Sequence, residues 1–417
     1  MKEDNFIISD DTRVIAKYND FYIITNSKET VTPKTIGIVV DKNGRFLSLP
    51  MSIASFFTRN AYQNYEFCEM RFCDVNSNYK KNIVQETLIG FAVGDAFGTA
   101  VEFMPRETIR NLNLNDMLGC DTHRKFDGYW SKVIPAGAWS DDTSMIIATM
   151  DAFNSAGKFD YKCIMDNFVN WWNKGKYSSL DFPFGLGKTV GKALDRYLKG
   201  TTPTQCGGVE YMDNGNGSLM RILPFSLYCI ENNLNIDDTV KLISEASSLT
   251  HGNDISKMSC VVYTEFLKEC IRTKNVANAL NHIIRIGYKK YFDNKVIKEF
   301  DRVLSYDIIS LKDSEINQSG YVVDTLKSVL YSVLKGKNYE ETVKIAVNLG
   351  YDTDTVAGIT GSIAGVLYGV EDIPERWTNM LKRKTYLEEI ADKFQQTLIN
   401  TKVSDKTEKF LMEEKKL

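Results

Sequence analysis

Apolar and polar positions follow two different rhythms along this chain. Over residues 1–80 the apolar runs are short and rich in β-branched or aromatic side chains, as in Phe21-Tyr-Ile-Ile-Thr25 and Thr35-Ile-Gly-Ile-Val-Val40. Such runs read as strands. Asp41-Lys-Asn-Gly44 separates the second run from Arg45-Phe-Leu-Ser-Leu49, and its Asn-Gly pair signals a hairpin turn. Ile53 to Tyr62 suits a short helix. Residues 1–80 are therefore expected to form a small α+β N-terminal module. It serves as a packing appendage, a cover over a functional site or a recognition element, since appended segments often carry specificity.

From about Val84 the spacing is helical and stays so to about Asn400, giving a mainly all-α domain over residues 81–400. Helices are expected at Tyr161 to Asn173, Ile255 to Cys270, Tyr321 to Leu334 and beyond Pro374, with mostly loop over 104–136. Residues 401–417 read as a charged tail that frays. The run from Leu88 to Phe103 carries Gly90, Gly94 and Gly98 at i, i+4 and i+8. Each glycine in an exposed helix costs about 1 kcal/mol relative to alanine. A shared glycine face is thus expected to meet another backbone at close range. The run after Thr355 has a similar face, Ala357, Gly361, Ala364 and Gly365, and the two helices are expected to pack together at the domain centre. Glu102, four residues beyond Gly98, points toward whatever they frame.

The chain has 417 residues, 43% of them hydrophobic and 25% charged, which is the balance of a soluble globular protein. A net charge of −3 provides no electrostatic footprint for nucleic acid or an anionic membrane. No apolar run reaches the roughly 18–20 residues of a membrane span, and Met1-Lys-Glu-Asp-Asn5 lacks the apolar core of a secretory signal. Eight cysteines without a CxxC pair suit the reduced thiols of a cytoplasmic protein, and three histidines are too few for a His-rich zinc site.

The candidate chemistry lies in two acidic turns and two glycine-rich ones. Asn348-Leu-Gly-Tyr-Asp352-Thr-Asp354-Thr355 and Ser140-Asp141-Asp142-Thr143 each crowd carboxylates and hydroxyls at a helix start. Several hard oxygens aimed at one point suit Mg²⁺ or Mn²⁺. Adjacent aspartates repel by about 1 kcal/mol or more at close range, and a cation removes that penalty. A capped helix with an acidic first turn explains either stretch alone. Gly185-Leu-Gly187-Lys-Thr189 ends like a phosphate-binding P-loop, but Phe182 replaces the first glycine and no buried strand precedes it. A phosphate-contacting turn ahead of a helix remains. Asp213-Asn-Gly215-Asn-Gly217-Ser218-Leu-Met220-Arg221 is either a second such turn or a flexible loop, and His251 is either a satisfied buried imidazole or a ligand contact.

In order, these stretches resemble the ADP-ribosylglycohydrolase family. The resemblance rests on Gly94-Asp95-Ala-Phe-Gly98 with Glu102, Ser140-Asp141-Asp142-Thr143 with Met145, Gly185 and Gly187, Gly215 through Pro224, Thr250-His251, and Gly350 through Thr355 with its glycine-rich helix. It covers about residues 85–395 and leaves residues 1–80 unmatched. It implies an orthogonally packed multi-helix domain with two Mg²⁺ (or Mn²⁺) ions in a central cleft. Ser140, Asp141 and Asp142 would serve one ion, and Asp352, Asp354 and Thr355 the other, with Asp354 shared. Gly185, Gly187, Asn216, Gly217 and Ser218 would hold the diphosphate, with His251 near the distal ribose or adenine. Glu102 and Asp142 would be catalytic.

The implied reaction is hydrolysis of the N- or O-glycosidic bond joining ADP-ribose to a protein side chain, arginine before serine. The partner is then an ADP-ribosylated protein, with no nucleic acid and no membrane. Two other readings share the motifs: a metal-dependent phosphohydrolase that would release AMP, and a catalytically silent ADP-ribose-binding relative. Two residues depart from the family pattern. Ser140 replaces a threonine and keeps the hydroxyl. Tyr351 stands where a second glycine is common, which is unfavourable if that position needs a positive φ.

Overall fold

The computed structural model divides into two units, Met1–Ile83 and Val84–Leu417. It describes residues 12–18, 21–26, 35–41, 47–48, 51–52, 66–71, 82–119, 134–317 and 319–414. In the first unit, strands β1 (Arg13–Tyr18), β2 (Phe21–Thr25), β3 (Ile36–Asp41), β4 (Met51–Ser52) and β5 (Glu66–Arg71) form an antiparallel sheet. Its order is β4-β3-β2-β1-β5. Val14, Ile24, Ile38 and Val40 cluster on one buried face, as period-2 alternation requires.

β2 and β3 are the two strands expected from the β-branched runs. The Asn43-Gly44 turn and the expected helix at Ile53 to Tyr62 lie outside the described residues. The returning chain does pair with β3. Leu47 N donates to Val39 O at 2.8 Å, Val39 N donates to Ser48 Oγ at 2.9 Å, and Met51 opposes Gly37.

The second unit is helical, with fifteen α-helices among the described residues. They are α1 (Ile83–Thr99), α2 (Arg106–Leu112), α3 (Asp141–Ala156), α4 (Tyr161–Lys174), α5 (Lys188–Leu198), α6 (Leu223–Glu231), α7 (Ile236–Ser248) and α8 (Asp254–Thr273). There follow α9 (Val276–Arg285), α10 (Asn294–Glu299), α11 (Val322–Lys335), α12 (Tyr339–Val347), α13 (Thr353–Tyr368), α14 (Glu375–Met380) and α15 (Lys384–Glu414). None of them is long and apolar enough to cross a membrane. α15 continues as helix to Glu414, into the stretch expected to fray. Lys, Glu, Leu and Met are strong helix formers, and no glycine or proline interrupts them there.

The centre is the crossing of α1 and α13, the contact expected from their glycine faces. A Cβ on Gly94 would collide with Ala357 O and sit 2.6 Å from its carbonyl carbon. Gly90 meets Gly361, and Gly98 meets Thr353, in the same backbone-to-backbone manner. Tyr339 on α12 locks the crossing by donating its hydroxyl proton to Gly90 O at 2.5 Å. α1 is buried almost throughout from Thr87 to Thr99. A helix apolar and small on every side is a core helix; this one carries Asp95 in its C-terminal half, and Glu102 lies just beyond its end.

Candidate active site

Asp95 is fully buried on α1. Its carboxylate accepts from Ser140 N at 2.9 and 3.1 Å, from Thr143 N at 3.2 Å and from Thr143 Oγ1 at 2.6 Å. It thereby fixes the N-terminus of α3, where the helix dipole favours negative charge. Ser140 caps that helix, accepting from Asp142 N at 3.3 Å. The preceding turn is held from outside: the buried Trp139 donates Nε1–H to Lys382 O at 2.9 Å, and Lys382 N donates to Gly137 O at 2.9 Å. Asp141 and Asp142 then project from the first turn of α3.

The second acidic turn is set by the other central helix. Thr353 Oγ1 donates to Gly98 O at 2.8 Å, which joins the start of α13 to α1. Asp352 occupies the cap position of α13 without capping it. Its carboxylate instead accepts from Asn216 Nδ2 at 2.7 Å. The chain reaches Asp352 through two left-handed residues, Gly350 (φ 86°) and Tyr351 (φ 59°). Tyr351 therefore does occupy a positive φ, the unfavourable case for a non-glycine residue. It is balanced by a partner of the same kind. Phe103 (φ 62°) donates N–H to Tyr351 O at 2.5 Å, and Tyr351 N donates to Met104 O at 2.8 Å. Arg106 ties down the same loops by donating to Leu349 O at 3.0 Å and Ile316 O at 2.7 Å. The turns carrying Glu102 and Asp352 are thus one hydrogen-bonded assembly.

These elements enclose a cavity of about 320 Å³. Its lining includes Glu102, Asp141, Asp142, Asp352, Asp354 and Thr355 together with Gly185, Gly187, Lys188, Asn216, Gly217 and His251. Every site residue nominated from the sequence lines it except Ser140 and Ser218. Ser140 acts as the cap of α3. Ser218 is buried and accepts from Cys260 Sγ at 3.5 Å. Gly185 (φ 94°) lies so close to Asp141 that a Cβ there would sit 2.9 Å from its carboxyl carbon. Gly187 is the cap position of α5, and Lys188 is its first residue. Asp95 and Lys188 were not nominated. The signal for Asp95 was an acid embedded in a glycine-faced helix, and for Lys188 the Gly-Lys-Thr turn.

Burial first, and crowding second, set the electrostatics. Glu102, Asp352 and Asp354 each offer a carboxylate oxygen within 4.8 Å of the others. Burial and the charge of Asp354 push both Asp95 and Asp352 up to about 7. The same two causes raise Asp141 and Asp142 well above the usual carboxylate range. Asp142 Oδ2 is buried with no hydrogen-bond partner among the described residues. An unsatisfied buried carboxylate oxygen among repelling acids fits a divalent cation, the ligand for which hard oxygens and uncompensated negative charge are suited. The opposite sign prevails at His251. Burial and the nearby Arg221 guanidinium push its pKa down to about 3, so its imidazole is neutral.

Residues 76–404 match the family model described as ADP-ribosylglycohydrolase. The chain is 32% identical over 309 residues to the ADP-ribosylarginine hydrolase Tri1 of Serratia proteamaculans, covering 73% of this chain and 76% of that one. It is 27% identical over 298 residues to the ADP-ribosyl-[dinitrogen reductase] glycohydrolase of Rhodospirillum rubrum, covering 71% and 89%. Among solved structures it resembles an ADP-ribosylglycohydrolase-related protein complex, with TM-score 0.60 and 27% identity over 76% of this chain and 98% of that chain. A family match across most of the chain, over a helical unit that gathers the family's acidic and glycine-rich stretches into one cavity, makes this protein a member of the ADP-ribosylglycohydrolase family.

Proposed function

We propose that the chain hydrolyses the glycosidic bond between ADP-ribose and a protein side chain, arginine before serine, using two divalent cations, Mg²⁺ or Mn²⁺. The observation that carries this reading is the convergence of five carboxylates with a glycine-rich turn and a helix N-terminus around one cavity. The preference for arginine is supported by relatives named ADP-ribosylarginine hydrolases in Serratia proteamaculans and Pseudomonas putida. Cys163, Cys206, Cys229, Cys260 and Cys270 are free thiols, which suits the cytoplasm.

Ser140, Asp141 and Asp142 would hold one ion, and Asp352, Asp354 and Thr355 the other. When bound, such ions orient sugar hydroxyls, polarise water and offset charge near the reacting carbon. The remaining work falls to the chain. The N-terminus of α5, with Gly185, Gly187 and Lys188, supplies backbone N–H groups and positive charge for the diphosphate. Asn216, Gly217 and Ser218 shape the opposing turn. Asn216, held by Asp352, keeps that turn in register with the acidic cluster. Glu102 is the proton carrier. It takes a proton from the attacking water or gives one to the leaving nitrogen or oxygen as an oxocarbenium-like state forms. Asp142 is the second carboxylate available for that role.

The test is release of free ADP-ribose from arginine-linked and serine-linked protein, in Mg²⁺ and in EDTA, followed by mass. Metal-dependent release from the arginine-linked substrate is expected. Glu102→Gln is expected to lower kcat by about 10²–10⁴-fold while ADP-ribose affinity changes only a few-fold. Release of AMP would identify a phosphohydrolase instead, and near-normal turnover by Glu102→Gln would remove its assigned role.

A further inference from the structure

Behind the cavity wall lies a buried polar chain that the reaction above does not use. Arg221 follows the Gly215–Ser218 turn and is fully buried, its guanidinium 5.3 Å from the centre of the Phe168 ring. Its Nη2 lies 2.7 Å from Thr250 Oγ1 and 3.0 Å from Ala246 O. Thr250 Oγ1 lies in turn 2.9 Å from His251 Nδ1. The far edge of the His251 ring rests against the glycines of the cavity-lining turn. A Cβ on Gly217 would sit 2.9 Å from Cε1 and 3.4 Å from Nε2, and one on Gly215 would sit 3.6 Å from Nε2. His251 itself lines the cavity.

The direction of each proton follows from chemistry. A guanidinium has donors and no acceptor, so Thr250 Oγ1 must accept from Arg221. The hydroxyl then has one proton left to give. Among the described residues, its other hydrogen-bond neighbour is His251 Nδ1, so the proton goes there. If Nδ1 carried a hydrogen instead, two donors would face the same oxygen and the buried hydroxyl proton would have no acceptor. A neutral imidazole that accepts at Nδ1 carries its hydrogen at Nε2. Protonation at both nitrogens is opposed by burial and by the adjacent Arg221 cation.

We infer that Arg221 and Thr250 are positioning residues that order this proton chain, so that His251 presents Nε2–H as a fixed donor to an acceptor oxygen of the bound ligand. The fixed tautomer selects ligand atoms: it binds a phosphate or sugar oxygen and rejects an N–H or other donor at that point. Gly215 and Gly217 leave that nitrogen accessible where any larger residue would cover it. The identity of the ligand rests on the proposed function; the tautomer does not.

The chain has three histidines, His123, His251 and His282. Long-range ¹H–¹⁵N spectra of the full chain labelled at histidine, with His251→Gln for assignment, read the tautomer directly. The wild type is expected to show His251 in the Nε2–H form, unchanged from about pH 5.5 to 8, with Nε2 shifting on addition of ADP-ribose. Pyrophosphate and adenosine, added separately, distinguish a phosphate acceptor from a nucleoside one. Thr250→Val removes the hydroxyl at nearly constant volume. It is expected to give the Nδ1–H form or a mixture and to weaken ADP-ribose binding about tenfold. Thr250→Ser is expected to restore both properties, which loss of packing alone would not produce. Nδ1–H in the wild type, or an unchanged ring signature in Thr250→Val, would overturn the inference. If the Nε2–H signature is kept but ADP-ribose does not bind, the proton chain stands and the proposed function fails.

Discussion

The close approach of α1 and α13 yields the sharpest prediction, because it couples packing to the acidic cluster at one end only. A methyl group added by Gly98→Ala would collide with Thr353 O and lie 2.5 Å from Asp354 N. Ordinary contact begins roughly 1 Å farther out, so α1 and the start of α13 must part by about that distance. Overpacking of this kind costs about 1–3 kcal/mol, and replacing a helical glycine by alanine returns about 1 kcal/mol. The net loss is therefore up to about 2 kcal/mol. Gly90→Ala forces the same helices apart at Gly361, whose carbonyl carbon a Cβ would approach to 3.1 Å, two helical turns from the acids. Its stability cost is expected to be similar.

Function separates the two variants. A displacement of about 1 Å at reacting groups costs about 10²-fold in rate. Gly98→Ala, which moves the backbone of Asp354, is expected to lose about that much in kcat, whereas Gly90→Ala loses less than about tenfold. Gly287→Ala, with nothing within 4 Å of the new carbon, is the control. Urea midpoints without metal and ADP-ribose release with Mg²⁺ provide the two readouts. A stability gain of about 1 kcal/mol in Gly98→Ala, the return of an unobstructed helical glycine-to-alanine change, or equal activity loss in both variants, would refute the coupling of the glycine crossing to the site.

Three further outcomes follow from the site. Asp354 is a charge that raises Asp95, Asp141, Asp142 and Asp352 alike, so Asp354→Asn is expected to raise the thermal midpoint of metal-free protein at pH 7.5. The same variant should cut turnover by about 10²-fold or more; a lowered midpoint would contradict the repulsion. The native state holds protons on Asp95 and Asp352 up to about 7 that the unfolded chain releases near 3.8, so metal-free stability should fall as pH rises between those values. Mg²⁺ should then raise the thermal midpoint more at pH 8 than at pH 5, and a stability rising with pH in EDTA would reverse the sign. Tyr351→Gly removes the cost of a left-handed aromatic residue and is expected to stabilise the protein by about 0.5–1 kcal/mol in urea titration; a loss of stability would mean that the exposed ring contributes more than its backbone costs.

What the sequence disclosed were features whose physics is local. Glycines at 90, 94 and 98 have no use in a helix unless something lies against them, and paired acids at 141–142 and 352–354 advertise a charge to be neutralised. Strands at Phe21–Thr25 and Ile36–Asp41 could be read because their β-branched runs are unbroken. Arg13–Tyr18 and Glu66–Arg71 intersperse charged residues, and although Arg13–Tyr18 forms a tight hairpin with Phe21–Thr25, the pairing of Arg71 with Arg13 spans a long stretch of chain. Asp95 shows no local sign of its task, because its partners at Ser140 and Thr143 are 45 and 48 residues away. Asp352 has the sequence of an ordinary helix cap. Only the approach of Asn216, 136 residues distant, shows the carboxylate turned elsewhere. The Arg221–Thr250–His251 chain was equally hidden, since nothing within each short stretch indicates that the two meet.

The α1–α13 crossing also sets a schedule for synthesis. Gly98 and Thr353, which the crossing joins, are 255 residues apart. At about 5–20 residues per second, a ribosome needs roughly 15–50 s to supply the second helix after the first has been made. Throughout that interval the nascent chain carries a helix without its mate, its glycine face open and Asp95 without the crossing that buries it. The central helix of the domain is among the first made and among the last to be completed, so a chaperone that shields this helix would matter most for a protein stalled before Thr353.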